Sequence, residues 1–297
     1  MGNLGSFTVE RIGFGAMQLP GPGVFGPPRD PDAARAVLRR AIELGVDHID
    51  TSQYYGPDVA NDLIREALFP YPEDLRIVTK VGGSRDEKGA WLPAQRPEEL
   101  RAGVEDNLRS LRLERIPLVN LRLIGPEVSA EVPLADQIGA LEELRGEGKV
   151  ELIGLSNAGA DTVLQALGMT DVACVQNGYS VLDRSHEDVL ELCCERDMAF
   201  VPFFPLGSAW TGGPATLAAD PAVARVAQKH SATPSQVALA WLLHRDEHIL
   251  LIPGTSSVAH LEENLAAGDL QLDREDLETL EQVRQVGDPV KAVAERR

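Results

Sequence analysis

The stretch PDAARAVLRRAIELGVDHID, residues 31–50, decides the fold of this 297-residue chain. Asp30 followed by Pro31 is the pattern of a helix that begins with a capping residue and a first-turn proline. The amphipathic run that follows ends at Gly45, a residue type common just past the last turn of a helix. Residues 47–50 are then a candidate for a short strand. The stretch therefore predicts one helix joined to one strand by a tight turn.

The same alternation of short apolar runs and amphipathic stretches continues along the chain, as expected for repeated strand–helix units. The candidate strands cover residues 12–17, 47–50, 76–80, 118–123, 151–155, 173–176, 199–204 and 249–253. The candidate helices cover residues 31–44, 58–68, 97–110, 134–147, 160–168, 186–196, 221–229 with 234–244, and 260–267, and an additional helix is expected over 274–285. Because eight units fit one barrel and no Gly-, Ser- or charge-rich linker divides them, we predict a (β/α)8 TIM barrel that spans residues 1–297 as a single domain.

An open, doubly wound sheet is the main alternative, since it is also built from strand–helix units. The segment GFGAMQ, residues 13–18, lacks the third glycine of the G-x-G-x-x-G pattern that follows the first strand of such sheets. This difference favours the barrel, in which the active site lies at the carboxyl-terminal ends of the strands.

Composition and charge disfavour several classes of partner. The chain has 46 acidic and 28 basic side chains and a formal net charge of −18, which opposes binding to nucleic acids and to anionic membranes. No stretch approaches the roughly 20 apolar residues of a membrane helix, and no secretory signal is visible. We therefore predict a cytoplasmic protein that acts on small molecules, as a monomer or a weak homo-oligomer.

No metal site is predicted. Cys174, Cys193 and Cys194 have no C-x-x-C spacing and are interpreted as small thiols in a reducing compartment. His244 and His248 are four residues apart, but they fall at a predicted helix end and in a loop, where a solvated surface is expected. The chemistry is therefore expected to depend on polar residues at the strand ends.

Charged and polar side chains stand at the predicted ends of three successive strands. Asp50 ends the second strand, Tyr55 follows five residues later and Lys80 ends the third strand. Asn120 and Arg122 share one face of the fourth strand. Barrel interiors are packed with branched apolar side chains, so these residues require an explanation. One explanation is a structural ion pair at the barrel mouth; the other, which we favour, is catalysis.

Carbonyl reduction accounts for this set of residues. A hydride from a reduced nicotinamide must be matched by a proton delivered to the carbonyl oxygen. A phenol has an ordinary pKa of about 10, which is high for donation near neutrality, and a nearby ammonium lowers it. We therefore expect Tyr55 to donate the proton, Lys80 to lower the pKa of Tyr55, and Asp50 to hold Lys80 charged and in place.

Four segments resemble motifs of the aldo-keto reductases, in the family's order and across essentially the whole chain. They are GVDHIDTSQYYG (45–56), IVTKVG (77–82), GLSN (154–157) and IPGTSSVAHLEEN (252–264). The resemblance implies an NADPH-dependent aldehyde reductase in which Asp50, Tyr55 and Lys80 fill three places of the family's catalytic tetrad.

The resemblance also assigns a cofactor site for NADP(H). It implies that Ser156, Asn157 and Gln176 bind the carboxamide of the nicotinamide and that Phe203 stacks on its ring. The remaining cofactor-binding residues implied in this way are Gly15, Leu206, Gly207, Ser208, Gly254, Thr255, Ser256, Ser257, His260, Glu263 and Asn264. NADPH-specific relatives often have a lysine and an arginine where this chain has Gly254 and His260. Ser256, Ser257 and the start of the following helix can still donate hydrogen bonds to a phosphate, and the subgroup resemblance described next implies NADPH rather than NADH.

Arg122 stands where the family usually has the fourth tetrad member, a histidine. This departure, with the runs GAMQLPGPGVFGPPRD (15–30) and VPFFPLG (201–207), resembles the subgroup of bacterial pyridoxal reductases, which reduce pyridoxal to pyridoxine. A guanidinium is permanently charged and fork-shaped, so Arg122 is expected to bind the 3-hydroxyl and the aldehyde oxygen of pyridoxal together. The structural alternative is that Arg122 pairs with Asp50 or with a loop carboxylate.

The substrate pocket is expected on loops at the same end of the barrel. The candidate wall residues are Met17, Gln18, Tyr54, Trp91, Asn120 and Trp210. The two tryptophans are equally compatible with packing roles. Three other functions remain open: a broad-specificity aldehyde or ketone reductase, a nicotinamide-binding regulatory subunit like the β-subunits of potassium channels, and a cofactor-independent lyase or isomerase.

Overall fold

The computed structural model describes residues 1–124, 132–208 and 212–285. In these ranges the strands are β1 Gly2–Leu4, β2 Phe7–Val9, β3 Phe14–Gly15, β4 His48–Asp50, β5 Arg76–Arg85, β6 Trp91–Ala94, β7 Ile116–Arg122, β8 Val150–Ser156, β9 Cys174–Gln176 and β10 Ala199–Phe200. The helices are α1 Pro31–Glu43, α2 Val59–Leu68, α3 Pro97–Leu111, α4 Leu134–Gly146, α5 Ala160–Leu167, α6 Glu187–Glu195, α7 Gly213–Ala219, α8 Pro221–His230, α9 Pro234–Arg245, α10 Val258–Ala266 and α11 Arg274–Leu280.

Seven parallel strands form a curved sheet in the order β3-β4-β5-β7-β8-β9-β10. An eighth segment closes this sheet into a barrel through two parallel bridges, Phe200 with Ile249 and Ile12 with Leu251. At the resulting seam, Gly13 N donates to Leu251 O at 2.8 Å and Leu251 N donates to Arg11 O at 2.8 Å. The predicted (β/α)8 barrel is therefore confirmed.

The Arg11 side chain reinforces the seam between the first and last strands. Its Nε donates to Ile249 O at 3.2 Å, and its Nη2 donates to the carbonyl oxygens of Leu243 and Asp246 at 2.9 and 2.5 Å. These carbonyls belong to the end of α9 and to the turn that follows it, so one side chain ties the amino-terminal strand to the last unit of the barrel.

The strand at the beginning of the barrel is shorter than predicted. The candidate strand 12–17 pairs only at Ile12 and over β3, and residues Ala16–Gln18 form a 3₁₀ turn. Here the chain leaves the sheet at the barrel mouth, so local apolar content alone did not show where pairing stops. Likewise the candidate strand 249–253 contributes single bridges rather than a continuous ladder.

Two β-hairpins and one helix were not predicted. β1 and β2 form an antiparallel hairpin, and β6 pairs antiparallel with the end of β5, from Gly82 with Ala94 to Arg85 with Trp91. The β5–β6 pairing depends on residues on either side of a turn, and neither strand carries a clear two-residue alternation. Trp91, predicted in a loop, therefore lies on β6. The third addition is α7, and the last helix ends at Leu280 rather than at 285.

The barrel interior changes from apolar to polar along its axis. Near the amino-terminal ends of the strands it contains Val78, Leu118, Cys174 and Leu250, and the β1–β2 hairpin packs against them through Leu4 and Val9. Two residues further along the strands, polar side chains replace the apolar ones. The two larger apolar clusters fill the space between the sheet and the surrounding helices. Within the described ranges, no helix is long and apolar enough to cross a bilayer.

Candidate active site

A buried carboxylate organises the polar end of the barrel. Asp50 accepts hydrogen bonds from Lys80 Nζ and, at 2.7 Å, from Gln176 Nε2. Lys80 Nζ also donates to Thr51 O at 3.1 Å. Asp50 and Lys80 are each only 4% exposed, so the two charges face each other away from water. The structure thus brings together three residues that sequence analysis placed on three separate strands.

Tyr55 packs directly on this ion pair. Lys80 Nζ lies over the Tyr55 ring, 5.2 Å from its centroid. Burial raises the pKa of Tyr55 above its ordinary value, the charge of Asp50 raises it further, and the guanidinium of Arg122 opposes both effects. Lys80 is not among the groups that shift this pKa, so the expectation that Lys80 lowers the pKa of Tyr55 remains a prediction.

Tyr54 and Trp91 continue an aromatic wall from Tyr55. The rings of Tyr54 and Tyr55 meet edge to face with centroids 5.5 Å apart, and Tyr54 and Trp91 do so at 5.6 Å. Trp91 remains 45% exposed and is therefore a rim residue rather than a packing plug. The Tyr54 hydroxyl is buried without a hydrogen-bond partner, and burial raises the pKa of Tyr54 to about 12.

Sequence analysis missed an arginine that supports this wall. The Arg85 guanidinium lies 3.9 Å from the centroid of the Trp91 ring and 5.5 Å from that of Phe25, and it donates to Gly23 O at 2.8 Å. Arg85 therefore fastens the β5–β6 hairpin to the loop after β3. No local pattern signals this contact, because Arg85 gains its position only through pairing with Trp91.

Arg122 does not form the ion pair with Asp50 that the structural alternative required. Its Nη1 donates to Ser156 Oγ at 3.0 Å, and its guanidinium carbon lies 4.8 Å from the centroid of the Phe203 ring. Among the described residues, Lys80 rather than Arg122 pairs with Asp50. The β7–β8 register, in which Arg122 is paired with Ser156, fixes this neighbourhood.

Three residues assigned to the nicotinamide carboxamide lie side by side. Ser156 and Gln176 are paired across β8 and β9, and Asn157 N donates to Gln176 O at 2.9 Å. Gln176 Oε1 is buried and has no hydrogen-bond partner. Asn157 has a left-handed backbone, φ 63°, and its Nδ2 already donates to Leu123 O at 2.7 Å. Gln176 Oε1 is therefore the acceptor best placed for a carboxamide N–H group.

The two glycines assigned to the cofactor are needed by the barrel itself. A Cβ on Gly15 would lie 2.4 Å from Ile252 O, and a Cβ on Gly254 would lie 2.5 Å from Gly15 O. The first and last strands thus cross too closely for any side chain at either position. This packing role is sufficient to explain both glycines.

In the segment before and along α10, some side chains hydrogen-bond within the chain and others are exposed to solvent. Ser257 Oγ caps α10 by accepting from His260 N, Thr255 Oγ1 accepts from Ser257 N at 3.1 Å, and the Glu263 carboxylate accepts from Thr233 Oγ1. Ser256 and His260 are exposed. Side chains for a phosphate are therefore available at Ser256 and His260, whereas Ser257, Thr255 and Glu263 already have partners within the chain.

The remaining predicted positions differ in accessibility. Met17 is half-buried and Gln18 exposed at the turn after β3, as a pocket wall requires. Asn120 is fully buried, lies next to Lys80 across β5 and β7, and accepts from Cys174 Sγ at 3.3 Å, while its Nδ2 has no hydrogen-bond partner; its place in the pocket wall remains a prediction. Trp210 lies outside the described residues. The other cofactor candidates, Leu206, Gly207, Ser208 and Asn264, occupy the turn after β10 and the buried side of α10.

A further group of potential metal ligands, away from this site, was not predicted. Cys194, Asp246 and His248 offer ligand atoms within 4.8 Å of one another. Asp246 Oδ1 lies 2.6 Å from His248 Nδ1, and His248 Nε2 lies 3.1 Å from Asp197 Oδ1. Hydrogen bonding between imidazole and carboxylates accounts for this arrangement.

Comparisons with known proteins show the family of the chain. A model of the Aldo/keto reductase family matches residues 11–285. The chain is 50% identical over 283 residues to pyridoxine 4-dehydrogenase of Escherichia coli, covering 94% of this chain and 96% of that protein. It is 38% identical over 272 residues to an uncharacterized oxidoreductase of Schizosaccharomyces pombe, covering 92% and 86%. An aldo/keto reductase of Klebsiella pneumoniae, crystallised with NADP and acetate, has a TM-score of 0.78 and 25% identity over 97% of this chain and 99% of that one.

Proposed function

The chain belongs to the aldo-keto reductase family and is an oxidoreductase, and from this premise we propose that it reduces pyridoxal to pyridoxine with NADPH. The observation that carries the proposal is the buried Asp50–Lys80 pair beneath the Tyr55 ring, with Arg122 as the further cation. A 50% identical relative named pyridoxine 4-dehydrogenase supports the choice of substrate.

The residues present fit a nicotinamide dinucleotide. The unpartnered Gln176 Oε1 would accept a hydrogen bond from the carboxamide, the Phe203 face would carry the ring, and Ser256 with His260 would meet the adenosine 2′-phosphate. NADPH would supply the hydride that the carbonyl carbon receives. The relative solved with NADP supports this choice of cofactor.

Tyr55 delivers the proton in this proposal. A phenol of ordinary pKa, about 10, is already protonated near neutral pH, so the donor is in the required form before the reaction begins. As the carbonyl oxygen becomes an alkoxide, it becomes a stronger base than a phenolate and takes the proton from Tyr55 Oη. Arg122 stabilises the phenolate left behind, because its charge, unlike that of Lys80, is not neutralised by Asp50.

Arg122 also explains a preference for an aldehyde beside an ionisable hydroxyl. Pyridoxal carries its 3-hydroxyl next to the aldehyde, and a guanidinium can donate to both oxygens at once. Replacing Arg122 with histidine is therefore expected to reduce turnover of pyridoxal more than turnover of a nitrobenzaldehyde. Equal losses on the two aldehydes would show that Arg122 does not select the substrate.

Adjacent tyrosines provide a matched test of the proton donor. Tyr55→Phe is expected to lower kcat for pyridoxal by about 10²- to 10⁴-fold, measured from the absorbance of the reduced nicotinamide, without changing the Kd for NADPH. Tyr54→Phe removes a buried hydroxyl that has no partner and is expected to retain activity. Undiminished turnover by Tyr55→Phe would refute the mechanism. NADPH binding without turnover by the unaltered protein would instead indicate a regulatory subunit.

A further inference from the structure

Arg122 already contacts two groups that the proposed cofactor contact requires, the Ser156 hydroxyl and the Phe203 ring. Its Nη1 donates to Ser156 Oγ at 3.0 Å, and its guanidinium carbon lies 4.8 Å from the centroid of the Phe203 ring. Both contacts come from one side chain, so the guanidinium plane extends from β8 to the segment after β10. Arg122 therefore covers an aromatic face and a hydroxyl simultaneously.

One aromatic face cannot carry two planar groups on the same side. A cation within about 6 Å of a ring centroid uses the negative face of that ring, so a nicotinamide stacked on that face would have to displace the guanidinium. Arg122 also donates to one lone pair of the serine hydroxyl, which leaves that group only its O–H and one lone pair for a ligand. Gln176 Oε1, the neighbour of Ser156 across β8 and β9, receives no donor from Arg122 and stays without a partner.

We propose that Arg122 is an internal competitor for the nicotinamide position, held on Phe203 and Ser156 until the nicotinamide displaces it. This inference rests on the proposed function. The displaced guanidinium remains anchored on β7, from which its charge already acts on Tyr54 and Tyr55. Arg122 is thus a positioning residue whose place depends on the cofactor.

The proposal makes a prediction of unusual sign. An arginine near an anionic cofactor normally strengthens its binding, so removing the arginine normally weakens it. Removing an internal competitor strengthens binding instead. We expect Arg122→Ala to bind NADPH about five- to tenfold more tightly, where tenfold corresponds to about 1.4 kcal/mol. The effect is confined to the nicotinamide end of the ligand, because the Arg122 guanidinium contacts Ser156 and Phe203 among the described residues, and both are assigned to that end.

A fragment of the cofactor separates this effect from general electrostatics. The Kd of NADPH, from the fluorescence of the reduced nicotinamide, is compared with the Kd of 2′-phospho-ADP-ribose, which lacks nicotinamide, from titration calorimetry. Arg122→Ala is expected to change the ratio of the two constants by five- to tenfold and to leave the fragment's own Kd within about twofold, since long-range charge acts on both ligands. Arg122→Gln, which shortens and neutralises the side chain without leaving a large space, is expected to shift the ratio in the same direction.

Arg85→Ala is the matched control, since it also removes an arginine stacked on an aromatic ring at the barrel mouth. It is expected to leave the ratio unchanged. An unchanged ratio in both Arg122 variants, or weaker NADPH binding with unchanged fragment binding, would overturn the competitor role while leaving the reductase proposal intact. Failure of the unaltered protein to bind NADPH would overturn both.

Discussion

Replacing Asp50 with asparagine would leave a buried ammonium without its counter-charge. Asp50 and Lys80 are nearly inaccessible, and the second oxygen of Asp50 accepts from Gln176 Nε2 at 2.7 Å. Asparagine has the same shape and still offers an acceptor to Gln176, so the change removes charge rather than packing. Thr51 O remains as a neutral acceptor for Lys80 Nζ.

Breaking a buried pair in this way typically costs about 3–5 kcal/mol. For a chain of this size, about 2 °C of Tm per kcal/mol gives a decrease of roughly 6–10 °C, measured by circular dichroism at pH 7.

A double variant supplies the decisive comparison. Asp50→Asn combined with Lys80→Met removes both charges. The double variant should therefore lose less stability than the sum of the two single losses, and the difference is a coupling energy of about 0.5–3 kcal/mol. Additive losses in urea unfolding would refute the argument that the pair is electrostatically coupled.

Two further predictions concern stability. Burial would raise the pKa of Asp276, but hydrogen bonds from Lys229 and His230 lower it to about 2. The contribution of Asp276 to stability is therefore complete above about pH 4 and is lost as the pH falls towards 2. Asp276→Asn should reduce the loss of stability with falling pH in that window, and an unchanged pH dependence would contradict this. Gly15→Ala places a Cβ against a backbone carbonyl and should cost about 1–3 kcal/mol, whereas Gly139→Ala, in open space on α4, should stabilise by up to about 1 kcal/mol. Similar urea midpoints for the two glycine variants would contradict the close strand crossing.

The sequence was sufficient to predict the barrel and the residues at its polar end. Strand–helix alternation placed Asp50, Lys80 and Gln176 at strand ends, and parallel strands bring those ends to one edge. The pairing of Asp50 with Lys80 follows from that geometry. Arg122 was also identified, because an arginine inside a barrel strand departs from the usual apolar filling.

The electrostatics and the hairpin contacts were not predictable in the same way. The pKa of Tyr55 depends on burial and on whether Lys80 is already neutralised, which residue spacing does not show. Arg85 and Trp91 meet only because β5 continues into a hairpin. Asn120, which shares a face with Arg122, is fully buried beside Lys80, a depth that strand alternation alone does not show.

The seam between residues 11–13 and 249–251 has a consequence for biosynthesis. Its two sides are far apart in the chain, since Arg11 and Ile249 are 238 residues apart, so the nascent chain carries an open sheet until the last barrel strand emerges from the ribosome. Exposed strand edges invite pairing with other chains, and short ones invite it least. Because β3 has only two residues and the closing segment contributes isolated bridges, the unfinished barrel exposes little strand edge to which another chain could pair.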